Sequence, residues 1–173
     1  SFSRDEIREF LGSEGIQHEK VLIHALELMQ QAKNLGSVMQ FDMNKEERRF
    51  FIQRLNFLQT EARSSLIVQS LYNKFMPFLK VIFVLTDRYE AIAANPPYMG
   101  QKNMNNDLKE YVNNFYPISK SDLFAVFMEV CLNALTKKGK MSMINQHSWM
   151  FLSSFEGMRK YILANHWIEN MLH

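Results

Sequence analysis

The chain is short of the residues that build linkers, bridges and membrane anchors. Its 173 residues include six Gly and four Pro, too few for long flexible linkers. Cys131 is the single cysteine, so no intrachain disulfide forms and a reducing, cytoplasmic setting is expected. No apolar run reaches the roughly 20 residues of a membrane-spanning helix. The polar opening Ser1-Phe-Ser-Arg-Asp-Glu6 lacks the apolar core of a signal peptide, so a soluble protein is expected. Net charge is +2, too near zero to drive nucleic-acid binding by itself; any DNA contact has to come from a local patch. The five histidines show no ligand spacing, and no metal is expected. A G-x-G triplet is also missing, and Gly12-x-x-Gly15 has no strand before it.

What is present suits one globular domain or a large piece of one, with 47% hydrophobic and 22% charged residues. The first half, residues 1–85, reads as helical. Ser3 or Asp5 caps a short helix ending near Gly12. Val21, Leu22, Ala25, Leu28, Met29 and Ala32 recur at helical spacing, with Asn34 and Gly36 as stop signals. Asn44 and Glu47 form a capping pair for a helix whose apolar side is Phe50, Phe51, Leu55, Leu58 and Ala62. Another helix is expected from Ser64 through Leu66, Ile67, Leu71 and Phe75, with Pro77 kinking or breaking it before residues 78–85. Arg48, Arg49, Arg54 and Arg63 could offer a basic face to DNA phosphates. With Glu46, Glu47 and Glu61 among them, they read better as a solvated helix face.

Residues 89–98, Tyr-Glu-Ala-Ile-Ala-Ala-Asn-Pro-Pro-Tyr, organise the rest. A strand can lead up to Asn95 but cannot pass Pro96 and Pro97, which have no ladder donor. Both prolines fix φ, and Pro97 pushes Pro96 towards extended backbone. A stiff corner at the carboxyl end of a strand is expected, which is where open α/β sheets bind ligands. The residue types suggest a chemistry. The exocyclic amine of a purine is a poor nucleophile because its lone pair is delocalised. Asn95 offers a side-chain carbonyl and Pro96 a backbone carbonyl, together able to accept both amine hydrogens. Tyr98 offers a flat face for a base taken out of its stack.

After Tyr98 the chain turns polar as far as Lys120, and Gly100, Lys102, Lys109 and Lys120 could reach over a bound nucleotide and its phosphates. A short helix is expected over residues 106–114. Ser121 or Asp122 caps a strong helix burying Leu123, Phe124, Phe127, Met128, Cys131, Leu132 and Leu135, which Gly139 ends. Cys131 reads as a core residue rather than a nucleophile. Residues 140–146 read as a strand, with His147 just beyond read as a loop histidine, substrate contact being the alternative. Ser153 and Glu156 form a capping box for a helix over residues 154–165, and residues 167–173 begin like another strand. The predicted order over 86–173 is strand, helix, strand, helix, strand: a partial parallel α/β sheet with right-handed crossovers.

The Asn95-Pro-Pro-Tyr98 string resembles the motif of N6-adenine methyltransferases. Four segments are similar to one subgroup, the large adenine-specific DNA methyltransferases of bacterial restriction and phage-defence systems: Ala32-Lys-Asn-Leu-Gly-Ser37, Asn95-Pro-Pro-Tyr-Met-Gly100, Ser119-Lys-Ser-Asp-Leu-Phe124 and Trp149-Met-Phe-Leu-Ser-Ser-Phe-Glu156. The resemblance implies a Rossmann-like methyltransferase core over 86–173. It implies that Asn95 and the Pro96 carbonyl hold the adenine N6 in a corner stiffened by Pro97, with Tyr98 stacked on the flipped base. Gly100 and Lys102 would lie against the substrate. The methyl donor would be S-adenosylmethionine and the partner double-stranded DNA, with transfer by in-line displacement in which protein supplies position and electrostatics.

One departure is large. The subgroup carries a glycine-rich cofactor loop before the adenine motif, where this chain has helices. The expectation is a segment of a longer enzyme, holding the catalytic corner and inactive alone. Two further readings stay open: methylation of another amine, such as an RNA base or a protein glutamine, and a non-catalytic interaction module on a methyltransferase remnant. With twelve Met and fourteen Phe, such a segment is expected to expose sheet edges and self-associate.

Overall fold

The computed structural model describes residues 2–63 and 65–172. The chain falls into two compact units, Ser1–Asp87 and Arg88–His173.

The first unit is built from α1 (Arg4–Leu11), α2 (Glu19–Gln30), α3 (Ala32–Leu35), α4 (Lys45–Glu61) and α5 (Leu66–Thr86). Local chemistry sets most of its boundaries. Ser3 caps α1 in a reciprocal box: its Oγ accepts the Glu6 N–H at 3.2 Å and the Glu6 carboxylate accepts the Ser3 N–H at 2.8 Å. Asn44 and Glu47 do the same for α4. Gly12 ends α1 at φ +66°, a left-handed value that favours glycine. Inside, Phe10 stacks on Phe75 with ring centroids 4.4 Å apart, among buried Leu22, Phe51, Leu79 and Ile82. Lys74 pairs with Glu6, and chiefly that hydrogen bond holds the Glu6 carboxyl down at about 2.

Two expectations change here. Pro77 does not break its helix: α5 runs as one element of 21 residues with Pro77 inside it. The proline removes one ladder bond, while buried Leu71, Phe75, Leu79 and Ile82 on both sides of it keep the helix in place. The arginines are not all a solvated face. Arg54 donates to the carbonyls of Phe10 and Glu9, where α1 runs out of its own donors. Arg48 donates to Asp87 at 2.8 Å. Both tie the helices together. The expected start at Ser64 lies outside the described residues; Ser65 caps α5 by accepting from the Val68 N–H.

The second unit runs β1 (Tyr89–Ala94), α6 (Asn106–Phe115), α7 (Leu123–Asn133), β2 (Leu135–Met143) and α8 (Glu156–Asn165). β1 and β2 pair in parallel, with Ile92 opposite Met141 and Ala94 opposite Met143. One core cluster joins α7, the loop after β2 and α8 through Phe124, Ala125, Met128, Trp149, Phe155, Met158 and Ile162. Arg159 fixes the loop by donating to the carbonyls of Trp149 at 2.8 Å and Leu152 at 2.6 Å. So the chain is mixed α/β, mostly helical, with a two-stranded parallel sheet.

Three sequence expectations fail in this unit. Gly139 does not end α7, which stops at Asn133; it lies inside β2. Between Tyr89↔Leu135 and Ala91↔Lys140 the register slips, and a Cβ on Gly139 would sit 2.6 Å from the Tyr89 carbonyl oxygen. Glycine is there because two backbones approach closely at a bulge. The Ser153–Glu156 capping box does not form. Residues Ser153–Phe155 make a 3-10 turn, α8 starts at Glu156 without a side-chain cap, and the Glu156 carboxylate pairs forward with Lys160. Nor do residues 167–172 form a strand, while His173 lies outside the described residues. A strand needs a neighbour's donors and acceptors, and Trp167, 95% exposed, has left the core.

Candidate active site

β1 delivers the motif to the carboxyl end of the parallel pair. Ladder pairing continues one residue past β2: the Ile144 N–H donates to the carbonyl of Ala94, the last residue of β1, at 3.1 Å. Asn95 follows at once and is exposed, Pro96 is buried, and Pro97 and Tyr98 are exposed. The corner is thus anchored on one proline and open on the residues that bear functional groups.

Tyr98 is held at both ends. Its hydroxyl donates to the Ile144 carbonyl at 3.2 Å, and its ring meets Phe124 edge-on with centroids 6.0 Å apart and planes at 83°. Phe124 is fully buried, so it is a fixed wall, yet 47% of Tyr98 is accessible. That leaves an aromatic surface of set orientation beside Asn95. Tyr98 and Ile144 share one peptide ladder, since Ile144 is bonded through its N–H to the residue just before Asn95.

The chain leaving the corner is stitched to the start of α7. The Asp122 carboxylate accepts the Met99 N–H at 3.0 Å and, with the same oxygen, the Phe124 N–H at 3.2 Å. The Leu123 N–H donates to the Met99 carbonyl at 2.9 Å and the Gln101 N–H to the Ser121 carbonyl at 3.1 Å. Gly100 lies in this crossing, bridged to Asp122. Lys102 is exposed on a one-turn 3-10 segment (Gln101–Asn103). Lys109 is exposed on α6 and Lys120 is half-buried. The structure therefore brings Asn95, Pro96, Pro97, Tyr98 and Gly100 into one corner, with Lys102 on the segment that leaves it.

Sequence reasoning missed two participants. Ile144, 68% exposed at the end of β2, had no signal except its place at a strand's carboxyl end. Asp122 was legible as a helix cap, but its hold on Met99 spans 23 positions, beyond any local pattern. His147 is exposed in the loop after β2, its ring 5.4 Å from Phe151. Between α6 and α7 in sequence, Ser119 is fully buried and donates to Glu129 at 2.6 Å. Burial pushes the Glu129 carboxyl up, and the Ser119 hydroxyl partly offsets this. Burial also pushes the Cys131 thiol up. Among the described residues, no three His, Cys, Asp or Glu side chains are grouped to hold a metal ion. No helix among them is long and apolar enough to cross a membrane.

What precedes β1 is α5, a helix, and no glycine-rich strand-to-helix turn occurs among the described residues. What the arrangement offers is an exposed Asn95 close in sequence to a half-exposed aromatic ring held at both ends.

Comparison with known proteins gives the family. The chain belongs to the Eco57I restriction-modification methylase family, whose pattern matches residues 14–173. It is 39% identical over 155 residues to the adenine-specific methyltransferase BrxX of Escherichia coli O9:H4 (strain HS), a match covering 89% of this chain and 13% of that protein. It is 45% identical over 96 residues to the adenine-specific methyltransferase PglX of Lacticaseibacillus casei (strain Zhang), covering 55% of this chain and 8% of that protein. The chain thus spans only a small part of the length of either relative.

Proposed function

We propose that this chain is the catalytic segment of a longer, site-specific DNA adenine-N6 methyltransferase acting in restriction-modification or phage defence. The observation that carries the reading is the Asn95-Pro-Pro-Tyr98 corner, set at the carboxyl end of a parallel strand with the Tyr98 ring tied to Ile144 and Phe124. Asn95 and the Pro96 carbonyl accept the two hydrogens of the adenine amine and turn its lone pair outward. Pro96 and Pro97 keep these acceptors preorganised, so little reorganisation accompanies the reaction. Tyr98 stacks on the adenine once it leaves the duplex, offsetting part of the unstacking cost of a few kcal/mol. Gly100 and Lys102 line the path of the strand.

S-adenosylmethionine, the methyl donor of this reading, supplies an electrophilic methyl group when bound. Its cradle lies in parts of the longer protein, and the chain alone is inactive. The reading places the protein in the cytoplasm, where the chromosome and incoming phage DNA lie.

Calorimetric titration of S-adenosylmethionine into this chain and into the longer protein tests the division of labour. Binding to the longer protein alone is expected. Binding to both would mean that helices described here as structural also hold the cofactor. Binding to neither would replace the proposal with a non-catalytic module. A binding enzyme that methylates RNA or a protein glutamine, and leaves DNA adenine untouched, would move the same corner to another amine.

A further inference from the structure

We infer that Asp122 is a positioning residue for the Asn95–Tyr98 corner, distinct from its service as a helix cap. One carboxylate oxygen accepts two backbone donors far apart in sequence, Met99 N–H at 3.0 Å and Phe124 N–H at 3.2 Å. The second of these is ordinary capping of α7. The first is not, because Met99 belongs to the segment leaving the corner and immediately follows Tyr98. An ionised acceptor makes both bonds stronger than neutral ones and fixes their direction. Met99 is bound on its other side too, its carbonyl taking the Leu123 N–H at 2.9 Å. Two strong restraints on one residue fix the exit angle of the chain from Tyr98. The buried Pro96 fixes the entry. Between them the Tyr98 ring has its hydroxyl placed to meet Ile144. Tyr98 therefore depends on Asp122 for its orientation. The consequence for a stacked base rests on the function proposed above; the hold on the corner does not.

Three substitutions in the 173-residue chain separate clamp from cap. Asp122→Asn keeps an oxygen at the same place, so both bonds persist. Asp122→Ser keeps a capping oxygen for α7 but is too short to reach Met99. Asp122→Ala loses both. The readouts are amide exchange at Met99 and the Tyr98 ring resonances, which sense the Phe124 ring current, recorded by NMR under folded conditions. Exchange at Met99 is expected to rise about tenfold in the Ser and Ala variants and to stay near the original in Asn. The Tyr98 resonances are expected to move in the same two variants. A purely structural role would lower the melting temperature and leave these folded-state signals in place. Should the Ala variant fail to fold, the Ser variant decides the matter. Unchanged Met99 exchange and Tyr98 shifts in Asp122→Ser would overturn the inference. Because no readout depends on methyl transfer, a failure of the proposed function and a failure of this inference are told apart.

Discussion

The Tyr98 hydroxyl donates to the Ile144 carbonyl at 3.2 Å, and this bond links the exit of β1 to the exit of β2. Ile144 in turn donates its N–H to Ala94, one residue before the motif begins. The aromatic face of the candidate site is therefore part of the sheet's own ladder. Tyr98→Phe keeps the face and frees the ring. Removing one half-exposed hydrogen bond is expected to cost about 0.5–1.5 kcal/mol of stability in thermal unfolding. Tyr98→Ala also loses the stacking surface, and DNA carrying a flippable adenine should bind the longer protein roughly 1–3 kcal/mol more weakly. Equal DNA affinity for Phe and Ala variants would remove Tyr98 from base recognition.

Gly139 and Gly157 should respond oppositely to alanine. A Cβ at Gly139 meets the Tyr89 carbonyl oxygen at 2.6 Å, inside the register slip between β1 and β2. Gly139→Ala should cost about 1–3 kcal/mol by forcing the strands apart. At Gly157 the nearest contact is a side-chain carbon of Ile118 at 3.4 Å, and the site lies in the first turn of α8. Gly157→Ala should stabilise by up to about 1 kcal/mol. Thermal melts of the two variants check both signs, and a tolerated Gly139→Ala would contradict the bulge.

Glu129 gives the second unit a pH dependence of definite sign. Burial raises its folded-state pKa above the ordinary carboxylate value, against the lowering effect of Ser119. A raised acid contributes stability that is complete below the unfolded pKa and is lost as pH rises through the folded one. Glu129→Gln should gain melting temperature relative to the unsubstituted chain as pH climbs from about 4 towards neutrality. Ser119→Ala removes the donor to the carboxylate and should lose about 1.5–3 kcal/mol at neutral pH, less in acid. Parallel profiles for Glu129→Gln and the unsubstituted chain would refute the assignment.

The second unit also exposes large apolar side chains. Ile144 is 68% exposed, Phe151 60%, Leu163 72% and Trp167 95%. No residue of β1 is fully buried. Self-association of the isolated chain is expected, because such edges and faces seek partners. Light scattering at tens of micromolar checks it, and a clean monomer would count against it.

How much of this was legible in the sequence depended on the range of the interaction. Asn44 with Glu47 was readable outright, and Ser3 and Asp122 each as one of two candidate caps, because a cap is decided within three residues. The corner was readable because proline restricts its own backbone wherever it occurs. Ser153 and Glu156 carry the same spacing yet form no cap; there a 3-10 turn and Arg159's hold on the Trp149 and Leu152 carbonyls shape the loop. Gly139 read as a helix stop because nothing local distinguishes a stop from a bulge; the Tyr89 carbonyl decides it from another strand. Pro77 read as a break because the burial that keeps α5 continuous is tertiary. The bonds that orient the site, Asp122 to Met99 and Tyr98 to Ile144, join residues more than twenty positions apart, where pattern reading ends.

The central claim is that Asn95 and its corner activate an adenine amine. Its most direct test is transfer of labelled methyl from S-adenosylmethionine to duplex DNA by the longer protein, with Asn95 intact and as Asn95→Ala. Label on adenine N6 is expected, with a kcat lowered about 10²–10³-fold in the variant and the KM for DNA little changed. Methyl transfer at an undiminished rate by Asn95→Ala would contradict it.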